Sequence, residues 1–207
     1  MQHGPWVSIG VLSLMLTTSA TAQLQSDRHT LAAAIAAGLV TAVFRGTGGS
    51  SGDVITLAVA KTAKAGPGRL ELSIPPGTQL LSTNKTAQAM VIAAVRGRMV
   101  SERSYAPASQ IVVASLTPMT YVVEAYCAEF EKDNPSEATT FQLGSLDPTL
   151  ACIVQAAGHL STEATQAAVW MHTDRATYEH ITAKFSVSRS DWMAAQAVVQ
   201  RCQRLAH

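Results

Sequence analysis

Apolar residues fall at strand spacing through the middle of the chain and at helix spacing through its last third. Leu39-Val40-Thr41-Ala42-Val43-Phe44-Arg45 and Val54-Ile55-Thr56-Leu57-Ala58-Val59-Ala60 are rich in β-branched side chains and predict two strands. The glycine-rich segment between them, 46–53, lacks the Gly-Lys-Ser/Thr ending of a phosphate loop and reads as a hairpin connection. Arg69 to Ile74 alternates with period two, Leu70, Leu72 and Ile74 sharing one face, and Pro75-Pro76-Gly77 ends it. Segments 89–95, 111–114 and 121–130 predict further strands, and 139–143 a last one. Short strands separated by Gly, Pro and Ser turns predict an immunoglobulin-like antiparallel β-sandwich. No long helical pattern interrupts them, so a parallel βαβ sheet is not expected. Asn84-Lys85-Thr86 matches a glycosylation sequon and is read as a loop only.

Gln25 to Ala37 predicts a short helix, capped by Ser26 or Asp27 and ended by Gly38. After Leu143 the spacing becomes helical. Asp147 caps a helix with Pro148 in its first position and Leu150, Ile153, Val154 and Ala157 on one face. Ser161 or Thr162 caps the next, which carries Gln166, Val169 and Trp170. A third is expected within 174–185. Ser188 or Ser190 caps the last, with Trp192, Ala195, Val199 and Cys202 at helical spacing. The predicted fold class is α+β: the sandwich over 39–145, followed by a small helical bundle over 146–207 packed on it, with an N-terminal helix in 23–38.

Residues 1–22 predict a signal peptide. The apolar run Trp6 to Leu16 is too short to span a membrane, and Ala20-Thr21-Ala22 supplies the small-x-small cleavage pattern. The n-region holds no Lys or Arg, and a short signal anchor is the alternative. No cysteine follows the apolar core and no second long apolar run exists, so the expectation is a secreted or periplasmic protein without a stable membrane anchor. A formal net charge of +1 argues against a nucleic-acid or membrane-surface role, and a protein or surface-ligand partner is the expectation. The sequence names neither the target nor the oligomeric state. Three cysteines, Cys127, Cys152 and Cys202, are an odd number for an oxidising compartment. One disulfide and one cysteine with another fate are therefore expected.

Two stretches carry candidate chemistry: Tyr126-Cys127-Ala128 at the end of an apolar run, and Thr165-Gln166-Ala167-Ala168-Val169-Trp170 in a helical one. They resemble the two signature motifs of bacterial surface thioester domains. In that family a Tyr/Phe/Leu-Cys-hydrophobic motif supplies a thiol. A Gln-x-Ala-hydrophobic-Trp motif, often preceded by Thr, supplies the acyl group of an internal thioester that captures amines or hydroxyls. The resemblance covers only these stretches and implies a Cys127–Gln166 bond. It also implies a barrel-like core, which differs from the sandwich predicted by strand spacing. With Cys127 committed to Gln166, Cys152 and Cys202 are left to pair; the rival pairing is Cys127 with Cys152.

The residues make their own case. Trp170 is four positions after Gln166 and can roof the bond, and Ala167 and Ala168 permit close approach of helix to strand. His172 and the carboxylates Glu129 and Glu131 are candidate proton carriers; on an extended strand both carboxylates share the Cys127 face. A cysteine hydrolase using Cys127 with His159, His172 or His180 is disfavoured, because nothing nearby lowers the thiol pKa. No metal-ligand spacing and no cofactor motif is present. The expectation is thus an exported binding or adhesion-type module more than an enzyme. The alternative is a non-catalytic structural or interaction protein in which Cys127 and Gln166 are ordinary core residues.

Overall fold

The computed structural model of the chain describes residue 1 and residues 27–206. The predicted signal peptide, and the start of the helix predicted from Gln25, lie outside those residues. The remainder of that helix begins later than expected. Asp27–Thr30 is a strand, β1, and only Leu31–Ala36 is helical, α1, capped by the Thr30 hydroxyl, which accepts from Ala33 N–H.

Six strands close on themselves. They are β2 (Val40–Gly46), β3 (Ser51–Lys61), β5 (Thr78–Ser82), β6 (Met90–Ser101), β9 (Met119–Cys127) and β10 (Thr140–Leu146). Their order is β5-β10-β2-β3-β9-β6, every pair antiparallel, and β5 pairs with β6 to complete a barrel. β7 (Ser104–Pro107) extends the β6 side. A separate three-stranded sheet joins β1, β4 (Leu70–Ser73) and β8 (Ile111–Val113), with β1 and β4 parallel.

The predicted immunoglobulin-like sandwich is therefore corrected to a closed six-stranded antiparallel barrel. Two features account for the difference. The closing strand, β5, follows Pro75-Pro76-Gly77 and reads Thr-Gln-Leu-Leu-Ser, with no alternation to announce it. Register shifts interrupt β3–β9, β6–β9 and β5–β10, and such bulges sharpen the twist a sheet needs in order to close. Part of the supposed hairpin loop is also strand: β3 begins at Ser51, and the glycine connection is correspondingly shorter.

Four helices follow the last strand: α2 (Pro148–Ala156), α3 (Thr162–Thr173), α4 (Tyr178–Thr182) and α5 (Arg189–Leu205). Caps explain their starts. Asp147 accepts from Thr149 and Leu150 N–H, Ser161 from Ala164, Thr177 from His180 and Ser188 from Asp191. α2, α3 and α5 pack on one another, α2 also meets β6, and α3 lies on β9 and β3. One apolar core runs from Phe44, Leu57 and Val123 of the barrel to Ile153, Val169 and Ala195 of the helices. A disulfide joins Cys152 on α2 to Cys202 on α5, the expected pairing, and Cys127 is free. Among the described residues no helix is long and apolar enough to cross a membrane.

Gly77 is where α2 docks on the barrel. Its φ is +84°, its N–H donates to Ile92 O, and a Cβ there would lie 2.4 Å from the Ala151 backbone nitrogen. Gly77→Ala is expected to cost about 2 kcal/mol or more, read as a lower urea midpoint at unchanged slope. The disulfide spans a sequence separation of 50. Loop entropy then predicts that Cys152→Ala/Cys202→Ala lowers stability by about 4 kcal/mol, on the order of 10 °C in Tm by calorimetry.

Candidate functional site

β9 ends at Cys127 because side chains take over the hydrogen bonds of the ladder. Ala128 N–H still reaches Ala89 O, but Ala89 N–H is taken by the Glu129 carboxylate at 2.8 Å. Glu129 N–H in turn donates to Gln88 Oε1 at 3.3 Å. The extended geometry that would have put Glu129 and Glu131 on the Cys127 face is thus absent, and that reading is corrected. Glu129 pairs with Lys132 at 2.6 Å. Glu131 is exposed and pairs with His180 and Lys184, both at 2.6 Å, which hold its carboxyl below the usual range.

α3 lies across this strand end. Its Ser161 cap and Ala164, Ala167 and Ala168 leave room for close approach, and all three alanines are fully buried. Gln166 then meets Cys127 directly. Gln166 Oε1 accepts from Cys127 N–H at 3.0 Å, and Gln166 Nε2 donates to Cys127 O at 2.7 Å. Cys127 N–H is shared, because Ser50 O also accepts it at 3.0 Å. Both residues have no solvent exposure. The Cys127 thiol lies 3.4 Å from Met90 Sδ. Its pKa is pushed up to about 12, first by burial and then by the Glu129 carboxylate. A thiol in this state is neutral and a poor external nucleophile.

The other predicted site residues divide into two groups. Trp170 is buried one turn from Gln166, held edge-on between Phe130 (4.9 Å between centroids) and Phe185 (5.1 Å). Its indole N–H has no hydrogen-bond partner among the described residues. Thr165 donates to Ser161 O and Ala157 O, which fixes the first turn of α3. Tyr126 donates to Glu124 at 2.6 Å, and burial with that carboxylate raises its pKa. These three are neighbours of the pair in the chain, and the hydrogen bonds of Tyr126 and Thr165 and the ring contacts of Trp170 go to other residues. His172 is turned to the Asp147 carboxylate, 3.9 Å away, and does not join Cys127. Cys152 and Cys202 act through α2 and α5, as the disulfide requires.

Sequence reasoning missed two groups that hold the site. Asp174 Oδ1 accepts from Phe130 N–H at 3.2 Å, so α3 grips the chain beyond Cys127 at a second point. Gln88, 2 % exposed, bonds Glu129 N–H, Lys132 O and Asn134 Oδ1. A glutamine in Ala87-Gln88-Ala89 carries no periodic signal, so nothing in the sequence marks it. Among the described residues no cluster of metal-ligating side chains occurs.

Gln166→Ala leaves the buried Cys127 carbonyl without its side-chain donor and is expected to lower stability by about 1–3 kcal/mol in urea unfolding. A free Cys127 thiol has a folded pKa above the ordinary thiol value. Its contribution to stability is complete below about pH 8.5 and is lost as pH rises towards 12. In methylamine-treated protein, the stability difference from Cys127→Ala should therefore fall over that window. No protein-family model, curated protein or solved structure matches this chain.

Proposed function

We propose that the chain is an exported binding module in which Cys127 and Gln166 form an internal thioester for covalent capture of an amine or hydroxyl. The observation that carries this reading is that the buried Gln166 carboxamide is held on the Cys127 backbone, N–H and C=O alike. In the reaction the sulfur bonds the carboxamide carbon, the C–Nε2 bond breaks, and the thiol proton leaves with ammonia. Cys127 N–H, already donating to Oε1, stabilises the charge that develops on that oxygen. Burial keeps water from the acyl bond, and holding the two groups together replaces a bimolecular encounter. The closed barrel supports the same reading, since the motif resemblance implies a barrel-like core. The Cys152–Cys202 disulfide fits an oxidising compartment, as export requires.

A second reading has its own observation. Both polar atoms of the Gln166 carboxamide are satisfied by the Cys127 backbone. That is also what a purely structural clamp in a non-catalytic interaction protein would do. Intact mass separates the two. The thioester form is lighter than its sequence by one ammonia in addition to the disulfide hydrogens. Methylamine adds its full mass to that form, and Cys127→Ala and Gln166→Ala abolish both effects. Because the folded thiol is buried, thiols are counted after unfolding in acid. One free thiol per freshly purified chain would sink the proposal.

A further inference from the structure

Beside the Cys127–Gln166 pair is a cavity of about 220 Å³. Trp170 lines it, and so does Ser50, whose carbonyl accepts from Cys127 N–H. Neither Cys127 nor Gln166 lines it.

The hydrogen-bonding capacity left over in this cavity is mainly that of donors. Trp170, 3 % exposed, has a buried indole N–H with no partner among the described residues. Asn134 uses its side-chain oxygen on Gln88 Nε2, which leaves its amide NH₂ free. The Gln88 carboxamide is consumed by Glu129 N–H, Lys132 O and Asn134 and serves as a frame. Lys132 and Lys184 stand on the lining with one carboxylate contact each, leaving ammonium protons to spare. Their partners Glu129 and Glu131 do not line the cavity, and no other carboxylate does. The Glu129 and Glu131 carboxylates sit 2.6 Å from these ammonium groups but outside the lining, so the cavity wall offers an incoming acceptor spare donors rather than an uncompensated positive charge.

We propose that this cavity is a subsite for a small oxyanion, a carboxylate or a phosphate, carried by the nucleophile that the module captures. The oxyanion partners the Trp170 N–H, Asn134 and the two lysines. The nucleophile half of this inference rests on the thioester reading. In that step the amine nitrogen bonds the Gln166 acyl carbon, the C–S bond breaks, and the amine proton restores the Cys127 thiol. A cationic diamine is disfavoured at this entrance, although its free amine is chemically competent.

Two measurements test the proposal, and the first does not depend on the thioester. In ¹⁵N-labelled wild-type protein the Trp170 indole resonance, assigned by its loss in Trp170→Phe, is followed during titration with sodium phosphate or sodium acetate. Sodium chloride at equal ionic strength is the control. A saturable shift with an oxyanion and none with chloride is expected, the better of the two salts identifying the group. The Lys132→Ala/Lys184→Ala variant should weaken it about tenfold. An indole resonance that follows ionic strength alone overturns the subsite. The second measurement compares loss of the thioester, by intact mass, to O-phosphoethanolamine and to 1,3-diaminopropane at equal free-amine concentration. The phosphate-bearing amine should react about tenfold faster, and the lysine variant should erase the preference. Equal or reversed rates overturn the inference. Absence of any ammonia deficit rejects the thioester, while the indole titration still decides the subsite.

Discussion

Gln166 has no exposure to solvent, and both of its side-chain hydrogen bonds go to the backbone of one residue. A buried carboxamide without partners is costly, so this pair of bonds fixes how far along β9 the helix α3 can sit. Three segments meet at that peptide: the end of β9, the helix, and the connection before β3, which offers Ser50 O to the same N–H. Asp174 repeats the grip at Phe130, so the helix is registered on the outgoing chain at two points. Any chemistry at Cys127 depends on this registration, because a slip of one residue would put Thr165 or Ala167 in the place of Gln166.

The helices hold that register from the far side. α2 is seated on the barrel at Gly77, the disulfide ties α2 to α5, and α5 packs on α3. One carboxylate joins the starts of α3 and α5: Asp191 accepts from both Ser161 and Ser188 hydroxyls, which keeps its pKa low. Glu131 plays a comparable part at the surface, where it links the loop after β9 to His180 and Lys184 around Phe130 and Trp170. The Phe130–Trp170–Phe185 cluster is thereby attached to both the barrel side and the helical side.

The starts of α2, α3 and α5 were legible because each is marked by a hydroxyl or carboxylate cap, as Asp147, Ser161 and Ser188 show, whereas α1 starts behind Thr30 and not behind Ser26 or Asp27. The odd cysteine count announced one disulfide, and the Cys152–Cys202 pairing was legible only with Cys127 set aside for Gln166. Barrel closure was not, because it depends on the β5–β6 pairing and on register shifts, neither of which leaves a periodic trace in the sequence. The misplacement of Glu129 and Glu131 has a local cause. The period-two rule holds only while the ladder persists, and here the Glu129 side chain itself replaces a ladder bond. The juxtaposition of Cys127 with Gln166 came from two short motifs. The donor-rich cavity came from groups, such as Gln88 and Asn134, that no motif singles out.

Closure of the barrel also bears on how the chain behaves among other copies of itself. Each of its six strands has a partner on both sides, with β5 and β6 meeting at the seam, so few backbone groups are offered to a neighbouring molecule. The strands left at margins are short: β1 and β7 have four residues each and β8 has three. β7 ends at Pro107, which has no N–H to give. Among the described residues, a chain built this way offers little template for strand-by-strand polymerisation.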